Sequence, residues 1–182
     1  MIRTSIIETL TKLTLNSQNL TVNIVVSYNG SIRGGHKMQS NKLFASPYIN
    51  FQGKAREAMQ FYQKALGGKL DMLAMDDKGK MHPAGDNEKL MHARLSSDGA
   101  VIMATDGSPD HPATPGDNFA VSLMGSDKDL LSNIFNQLAE GGKIKMPLSD
   151  SSWGDMFGYL EDKFGINWMM DITTPENMNS DS

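Results

Sequence analysis

The stretch LGGKLDM at residues 66–72 returns as EGGKIKM at residues 140–146, and the offset between Gly68 and Gly142 is 74 residues. Each copy follows a stretch with helical periodicity and leads into a stretch typical of a β-strand. Two consecutive glycines end a helix because glycine adopts the left-handed C-terminal conformation at little steric cost. An internal repeat constrains a fold more strongly than any single motif. The sequence therefore predicts one domain built from two copies of one unit.

A helix precedes each copy of this motif. The first is predicted over residues 54–66, and the second begins after Ser126 or Asp127 as its N-cap. Apolar residues spaced three or four apart fall on one face of each helix and predict the side that packs on the core. These residues are Ala55, Ala58, Met59, Tyr62, Ala65 and Leu66 in the first helix, and Leu131, Ile134, Phe135 and Leu138 in the second.

Strands surround the two helices in the same order. We expect strands over residues 43–51, 69–75, 90–97 and 100–105, and again over residues 118–124, 143–147, 156–161 and 167–173. Residues 76–88 are predicted to form a loop and residues 106–117 a linker. This order predicts an α+β domain over residues 43–173, with repeat one at about 43–107 and repeat two at about 118–173. Two βαβββ repeats make a curved mixed sheet with helices outside, and the concave face is a natural small-molecule cavity.

The two ends of the chain have a different composition. Residues 1–42 are interpreted as a disordered extension, or as an over-long start assignment with Met38 as the true initiator. Within them, residues 20–28 alternate well enough to form a strand. Residues 174–182 are interpreted as a C-terminal tail.

Composition excludes several classes of protein. The chain carries a net charge of −4, which argues against a nucleic-acid-binding surface. It has no cysteine, so disulfides, thiol chemistry and thiolate metal sites are excluded. No apolar run approaches the ~20 residues that a membrane span needs, and the N-terminus lacks the features of a secretory signal. We therefore expect a cytoplasmic protein that has neither nucleic-acid nor membrane partners.

A set of short motifs, each weak alone, is specific in its order and spacing. The motifs are residues 47–51 (PYINF) with Gly53, Phe61-Tyr62, Gly67-Gly68, residues 91–93 (MHA), Trp153-Gly154, residues 162–165 (DKFG) and Trp168-Met169. Together they resemble the vicinal-oxygen-chelate superfamily, also called the glyoxalase/bleomycin-resistance/dioxygenase superfamily. Within it, residues 46–172 resemble the PhnB-like branch, also labelled 3-demethylubiquinone methyltransferase-like. The sequence shows no glycine-rich strand-to-helix loop of the kind that seats a nucleotide cofactor.

The resemblance implies a test for a metal centre. Metal-dependent members hold a divalent ion with His and Glu from the first and fourth strands of each repeat, and the ion acts as a Lewis acid. Here the first, fourth and fifth expected strands contain no His, Asp or Glu. Met103 stands where the pattern would have a Glu, and Met169 stands at the ligand position of the last strand, which offers Asp171 instead. We therefore expect no metal or other cofactor. The alternative is an unconventional ligand set, such as His92 with Asp106 or Asp171.

The Asp98-Gly99 turn predicts a two-residue hairpin and sets its register. Ser97 then pairs with Ala100, Arg94 with Met103, and His92 with Thr105. His92, Arg94, Met103 and Thr105 share the concave face, whereas Ala93, Leu95, Ile102 and Ala104 share the face under the helix. His92 could act as a base or contact a ligand, and Arg94 could bind a carboxylate or phosphate. Alternatively, His92 bonds a neighbour and Arg94 pairs with Asp155 or Asp171.

Three further residues join the candidates. Asn118 is a polar anchor at the start of the second repeat, and Trp153, with Gly154 and Asp155, could form a lid over the cavity mouth or cap the core. The candidate ligand-binding residues are His92, Arg94, Met103, Asn118, Trp153 and Asp155.

Three functions remain open at this stage. The first is a metal-independent protein that binds a small organic molecule, and the second is a metal-dependent lyase, isomerase or dioxygenase. The third is a structural or regulatory dimer with a vestigial cavity. The family resemblance implies a homodimer.

Overall fold

The computed structural model describes residues 44–173, and residues 1–43 and 174–182, including the strand expected at 20–28, lie outside this part. The elements run in the order β1 (Tyr48–Asn50), α1 (Ala55–Leu66), β2 (Lys69–Met75), β3 (Met81–Pro83), β4 (His92–Ser96), β5 (Val101–Thr105), β6 (Val121–Gly125), α2 (Lys128–Leu138), β7 (Lys143–Asp150), β8 (Met156–Glu161) and β9 (Asn167–Ile172). The two βαβββ repeats are therefore present, the first with β3 as an additional strand, and the predicted α+β fold class is confirmed.

The strands form two sheets, one for each repeat. Sheet 1 has the order β1-β5-β4-β2-β3, and sheet 2 has the order β6-β9-β8-β7. In each repeat the first strand pairs parallel with the last, and the other pairings are antiparallel. The strands of each repeat therefore hydrogen-bond to one another in a separate mixed sheet. The sequence alone predicted one curved sheet for both repeats.

The strands differ from those expected in several places, and β6 for example begins at Val121 where residue 118 was expected. Residues 76–88 were predicted to form a loop, but β3 forms there and pairs antiparallel with β2. The Asp76 carboxylate nucleates this hairpin by accepting hydrogen bonds from two backbone N–H groups of the turn. Strand β1 begins only after Pro47, which lacks a backbone N–H. Strand β7 continues past Pro147 to Asp150, because as an edge strand with an irregular register it tolerates a proline.

Both helices cover one face of their sheet with the apolar stripe that was predicted. The Asp127 side chain caps α2 by accepting a hydrogen bond of 3.0 Å from the Leu130 N–H. The buried residues of both repeats form a single hydrophobic cluster. Tyr62 of α1 reaches the second repeat, where its ring packs edge-on against Trp168 with 5.2 Å between ring centroids. Trp168 is 1% exposed and belongs to this core.

The second glycine of each repeated motif packs against backbone. A Cβ at Gly68 would lie closer than 3.0 Å to the backbone at the end of β4, and a Cβ at Gly142 would lie equally close to the backbone at the end of β8. The same close approach therefore occurs in both repeats. In repeat one the glycine pair also ends the helix, since Gly67 is the C-cap of α1, whereas α2 ends at Leu138 with Ala139 as its C-cap, two residues before Gly141. In both repeats the second glycine lets the next strand enter its sheet beside the antiparallel hairpin.

Candidate functional site

The β4–β5 hairpin has the predicted register, with Arg94 opposite Met103 and Ser96 opposite Val101. Its apolar face is buried under α1, since Ala93, Leu95, Ile102 and Ala104 are at most 2% exposed. The alternation of side chains along a strand directs the intervening residues to the other face. His92, Arg94 and Met103 therefore lie together, half-buried, on the side of sheet 1 that faces away from the helix. We call this side the open face of sheet 1.

Arg94 has no carboxylate partner in the described part of the chain. Its Nε donates a hydrogen bond of 3.2 Å to the Ser96 hydroxyl, and its guanidinium lies 5.7 Å from the centre of the Phe44 ring. Among residues 44–173 no Asp or Glu oxygen lies within 4.0 Å of it. The pairing with Asp155 or Asp171 considered above is therefore not formed. Asp71, opposite Arg94 on β2, is paired with Lys69 at 2.8 Å.

Tyr48 is a member of this face that the candidate set missed. It lies on β1 opposite Met103, and its hydroxyl is 3.4 Å from Nδ1 of His92. The two rings lie 5.8 Å apart and are tilted. The sequence contained a signal for Tyr48. In a strand formed by the PYINF motif, Tyr48 and Ile49 point to opposite faces, so an apolar Ile49 under the helix places Tyr48 on the open face. The open face of sheet 1 thus presents a guanidinium, an imidazole, a phenol and a thioether side by side.

The other three candidates lie elsewhere. Asn118 is in the connector before β6, and it lines a cleft of about 550 Å³ as well as a hollow of about 380 Å³. Trp153 and Asp155 lie between β7 and β8 of sheet 2. The Trp153 ring packs edge-on against Phe157 and is 59% exposed, so it does not cap the core. Neither the cleft nor the hollow is lined by the three candidates of sheet 1.

Sheet 2 also leaves one face uncovered by its helix, and this face is mostly apolar. The hollow of about 380 Å³ on it is lined by Met146, Phe157, Tyr159 and Met169, together with residues 117–120. Met146 and Met169 flank Tyr159 in the register of the three strands. Methionine side chains are flexible and polarisable, so such a surface can pack against flat apolar groups of different shapes.

Charged groups lie at both ends of this second face. Lys145 bridges Glu161 at 2.8 Å and donates to the Asn167 amide oxygen at 2.6 Å. The hydrogen bond between Lys145 and Glu161 raises the pKa of the lysine and lowers the pKa of the glutamate. At the other end, desolvation and then the nearby charge of Asp155 raise the pKa of Asp171, whose Oδ1 is buried with no hydrogen-bond partner among residues 44–173.

The described residues offer little to a metal ion. No three His, Asp or Glu side chains converge among residues 44–173. Asp106, suggested above as a partner of His92, accepts hydrogen bonds from the backbone N–H groups of Ala55 and Leu90, one at each carboxylate oxygen. Its carboxylate holds the start of α1 and is therefore occupied. Asp171 belongs to the other sheet. No helix in this part of the chain is long and apolar enough to span a membrane.

Comparison with known proteins agrees with this geometry. The family model described as 3-demethylubiquinone-9 3-methyltransferase matches residues 44–171. The Escherichia coli protein YjdN is 30% identical over 138 residues, which cover 70% of this chain and 93% of YjdN.

Two solved structures are similar as well. The protein PA1353 of Pseudomonas aeruginosa is 36% identical with a TM-score of 0.62, and the match covers 72% of this chain and 98% of PA1353. The PhnB protein of Bacillus cereus is 25% identical with a TM-score of 0.57, and the match covers 71% of this chain and 98% of that protein. The chain therefore belongs to the PhnB-like family, described as 3-demethylubiquinone-9 3-methyltransferase.

Proposed function

We propose that the protein binds a small organic molecule with an acidic group on the open face of sheet 1, without the metal centre usual in its superfamily. One observation carries the proposal. Arg94 is half-buried, its Nε is held by Ser96, and its remaining donors meet no carboxylate among the described residues. A guanidinium so placed binds a carboxylate or phosphate in two-point geometry, and the low local dielectric strengthens the bond.

The neighbours of Arg94 suit the rest of such a ligand. His92 and Tyr48 supply hydrogen-bonding groups whose directions are set by their mutual contact. Met103, opposite Arg94, supplies an apolar and polarisable surface. We assign the acidic group to Arg94, a hydroxyl or carbonyl group to the His92–Tyr48 pair, and the apolar body to Met103.

A homodimer is part of the proposal, because one open sheet face cannot enclose a ligand. Small-molecule sites bury most of their ligand's surface. The apolar face of sheet 2, with Met124 73% and Met146 51% exposed, is a surface that a second chain could cover. In a symmetric pair, each chain then offers one face to the other's ligand site. We expect Asn118, Trp153 and Asp155 of one chain to contact the ligand that the other chain binds. We also expect the protein to be cytoplasmic.

A ligand titration with matched probes tests the proposal. ¹⁵N-labelled protein is titrated with phenylphosphonate, neutral benzyl alcohol and cationic benzylamine, and binding is followed by NMR. We expect only the acidic probe to shift the amides of β4 and β5. In Arg94→Gln its Kd should rise about tenfold to a hundredfold, since a hydrogen bond to a charged group contributes about 1.5–3 kcal/mol.

The control variant is Lys128→Gln, which removes the same charge from an exposed position on α2. It should leave the Kd unchanged. Equal shifts with benzylamine, or an unaltered Kd in Arg94→Gln, would refute the proposal. If no probe binds and Arg94→Gln leaves the dimer intact, the vestigial-cavity hypothesis replaces it.

A further inference from the structure

A cleft of about 550 Å³ lies at the junction of the two repeats, and it shares Tyr48 with the open face of sheet 1 but none of His92, Arg94 and Met103. It is bounded by β1 and the corner that follows it, by residues 113–116 of the connector with Asn118 and Phe119, and by residues 163–166 of the β8–β9 turn. We call it the junction cleft. Its volume is within the range of pockets that hold small ligands.

One wall of the junction cleft is the free edge of β1. Among the strands that the structure describes, β1 is the outer strand of sheet 1 and pairs only with β5. The Pro47 carbonyl accepts from the Met103 N–H, and the Phe51 N–H donates to the Thr105 carbonyl. Alternate residues of a strand direct their backbone groups to opposite sides, so those of Tyr48 and Asn50 point away from β5, towards the cleft. Each of these residues thus offers an N–H donor, beside its own carbonyl, that no other described strand uses.

The charged residues of the lining are all cationic. Lys54 and Lys163 line the junction cleft, and no Asp or Glu is among its lining residues. This composition contrasts with a chain whose net charge is −4. The Lys163 ammonium lies 4.8 Å from the Phe61 ring centre and 3.5 Å from a Glu57 oxygen, and its side chain remains 36% exposed. Lys54 is exposed, and its ammonium forms no ion pair with another described residue.

Aromatic and other apolar residues complete the lining. Phe119 is 61% exposed, although it is one of the largest apolar side chains of the connector. Phe164 and Ile166 lie across from it on the β8–β9 turn. An exposed ring beside unpaired N–H donors and lysines is suited to a ligand that is flat and apolar at one end and anionic at the other.

We propose that the junction cleft is a second ligand site, and that it binds small aromatic carboxylates. The N–H groups of Tyr48 and Asn50 are about 7 Å apart along the strand. One carboxylate therefore accepts from one of these N–H groups while Lys54 or Lys163 supplies the countercharge. The aromatic ring of the ligand packs on Phe119.

Benzoate, with benzamide as its neutral isostere, is the probe for this site. ¹⁵N-labelled full-length protein is titrated with each compound, and the amides of Asn50, Gly116 and Ile166, which line the cleft, are followed by NMR. We expect benzoate to shift these amides with a saturating curve and benzamide to bind more weakly. Lys54→Gln should weaken benzoate about two- to fivefold, as for an exposed ion pair. Arg94→Gln should leave the shifts of these amides unchanged, which separates this site from the one on sheet 1.

Three results would overturn the proposal. The first is that benzoate shifts appear only on β4 and β5 and disappear in Arg94→Gln. The second is that benzamide binds as tightly as benzoate. The third is that, without ligand, the Tyr48 and Asn50 amides are protected from exchange and lose this protection on dilution, because a second copy would then cover the edge.

Discussion

The carboxylate of Asp162 lies in the core, where the residue is 3% exposed, and it accepts four hydrogen bonds. Its Oδ1 accepts from the backbone N–H groups of Phe164 and Ile166 at 2.8 and 3.0 Å. Its Oδ2 accepts from the Tyr62 hydroxyl at 2.7 Å and from the Trp168 indole N–H at 2.8 Å. Tyr62 belongs to the first repeat and the others to the second. The carboxylate therefore ties the two repeats together inside their shared core.

Asp162→Ala should destabilise the protein by about 3–4 kcal/mol. Tyr62 and Trp168 are 0% and 1% exposed, so each donor would be left buried without a partner. A buried unsatisfied donor costs about 1–3 kcal/mol, which amounts to about 2–6 kcal/mol for the two. The two backbone donors lie in a half-buried turn, where water can replace the carboxylate. The alanine variant no longer has the desolvation cost of a buried carboxylate, and this gain offsets part of the loss. The expected loss of unfolding free energy therefore lies near the middle of the range.

Urea unfolding followed by tryptophan fluorescence measures this change, because Trp168 is buried beside the carboxylate. The slope of the free energy against urea should stay unchanged. Tyr62→Phe should cost about 1.5 kcal/mol in the native background and much less in the Asp162→Ala background, because the two residues share one bond. Asp86→Ala, at an exposed loop position, is the control and should stay within about 0.5 kcal/mol. A loss below about 1 kcal/mol for Asp162→Ala, or additive losses in the double variant, would refute the reasoning.

Further predictions follow from particular contacts. Gly142→Ala should cost about 1–3 kcal/mol, because its Cβ would meet the backbone after β8; urea unfolding measures it, and an unchanged midpoint would contradict the close packing. The pKa of Asp171 is raised in the folded protein, so its contribution to stability is present below about pH 4 and is lost as the pH rises through the raised value. Asp171→Asn should therefore raise the melting temperature at pH 7 and give no gain near pH 3, and an equal gain at both values would contradict this sign. Mass spectrometry of protein purified without chelators should find no stoichiometric metal, whereas one ion per chain that is lost in His92→Ala would support the metalloenzyme alternative. Light scattering should give twice the chain mass at micromolar concentration, and a monomer would remove the shared cavity from the proposed function.

Local patterns in the sequence were enough to predict most of the elements. Helices α1 and α2 follow from their apolar stripes, and α2 begins at one of the two N-caps that were named, Asp127. The Asp98-Gly99 turn set the register of β4 and β5, and with it the shared face of His92 and Arg94. These features depend on residues a few positions apart, whose spacing alone decides which side of a helix or strand they occupy.

The composition of the candidate site was harder to predict. Tyr48 reaches His92 across 44 positions of sequence, through the parallel pairing of β1 with β5. Asn118, Trp153 and Asp155 were grouped with His92 although they belong to the connector and to the other sheet. Since strand order within a sheet and the division into two sheets depend on long-range pairing, side-chain spacing carries no information about which strands become neighbours.

The sequence by itself determined the two βαβββ repeats, the helix faces and the hairpin register, because periodicity and turn chemistry are local. The tertiary structure decided which polar groups have partners. It uses both oxygens of Asp106 to hold the start of α1, buries Asp162 between the repeats, and leaves Arg94 without a carboxylate among the described residues. Whether a charged side chain is structural or available to a ligand depends on which distant groups reach it, and only folding brings those groups together.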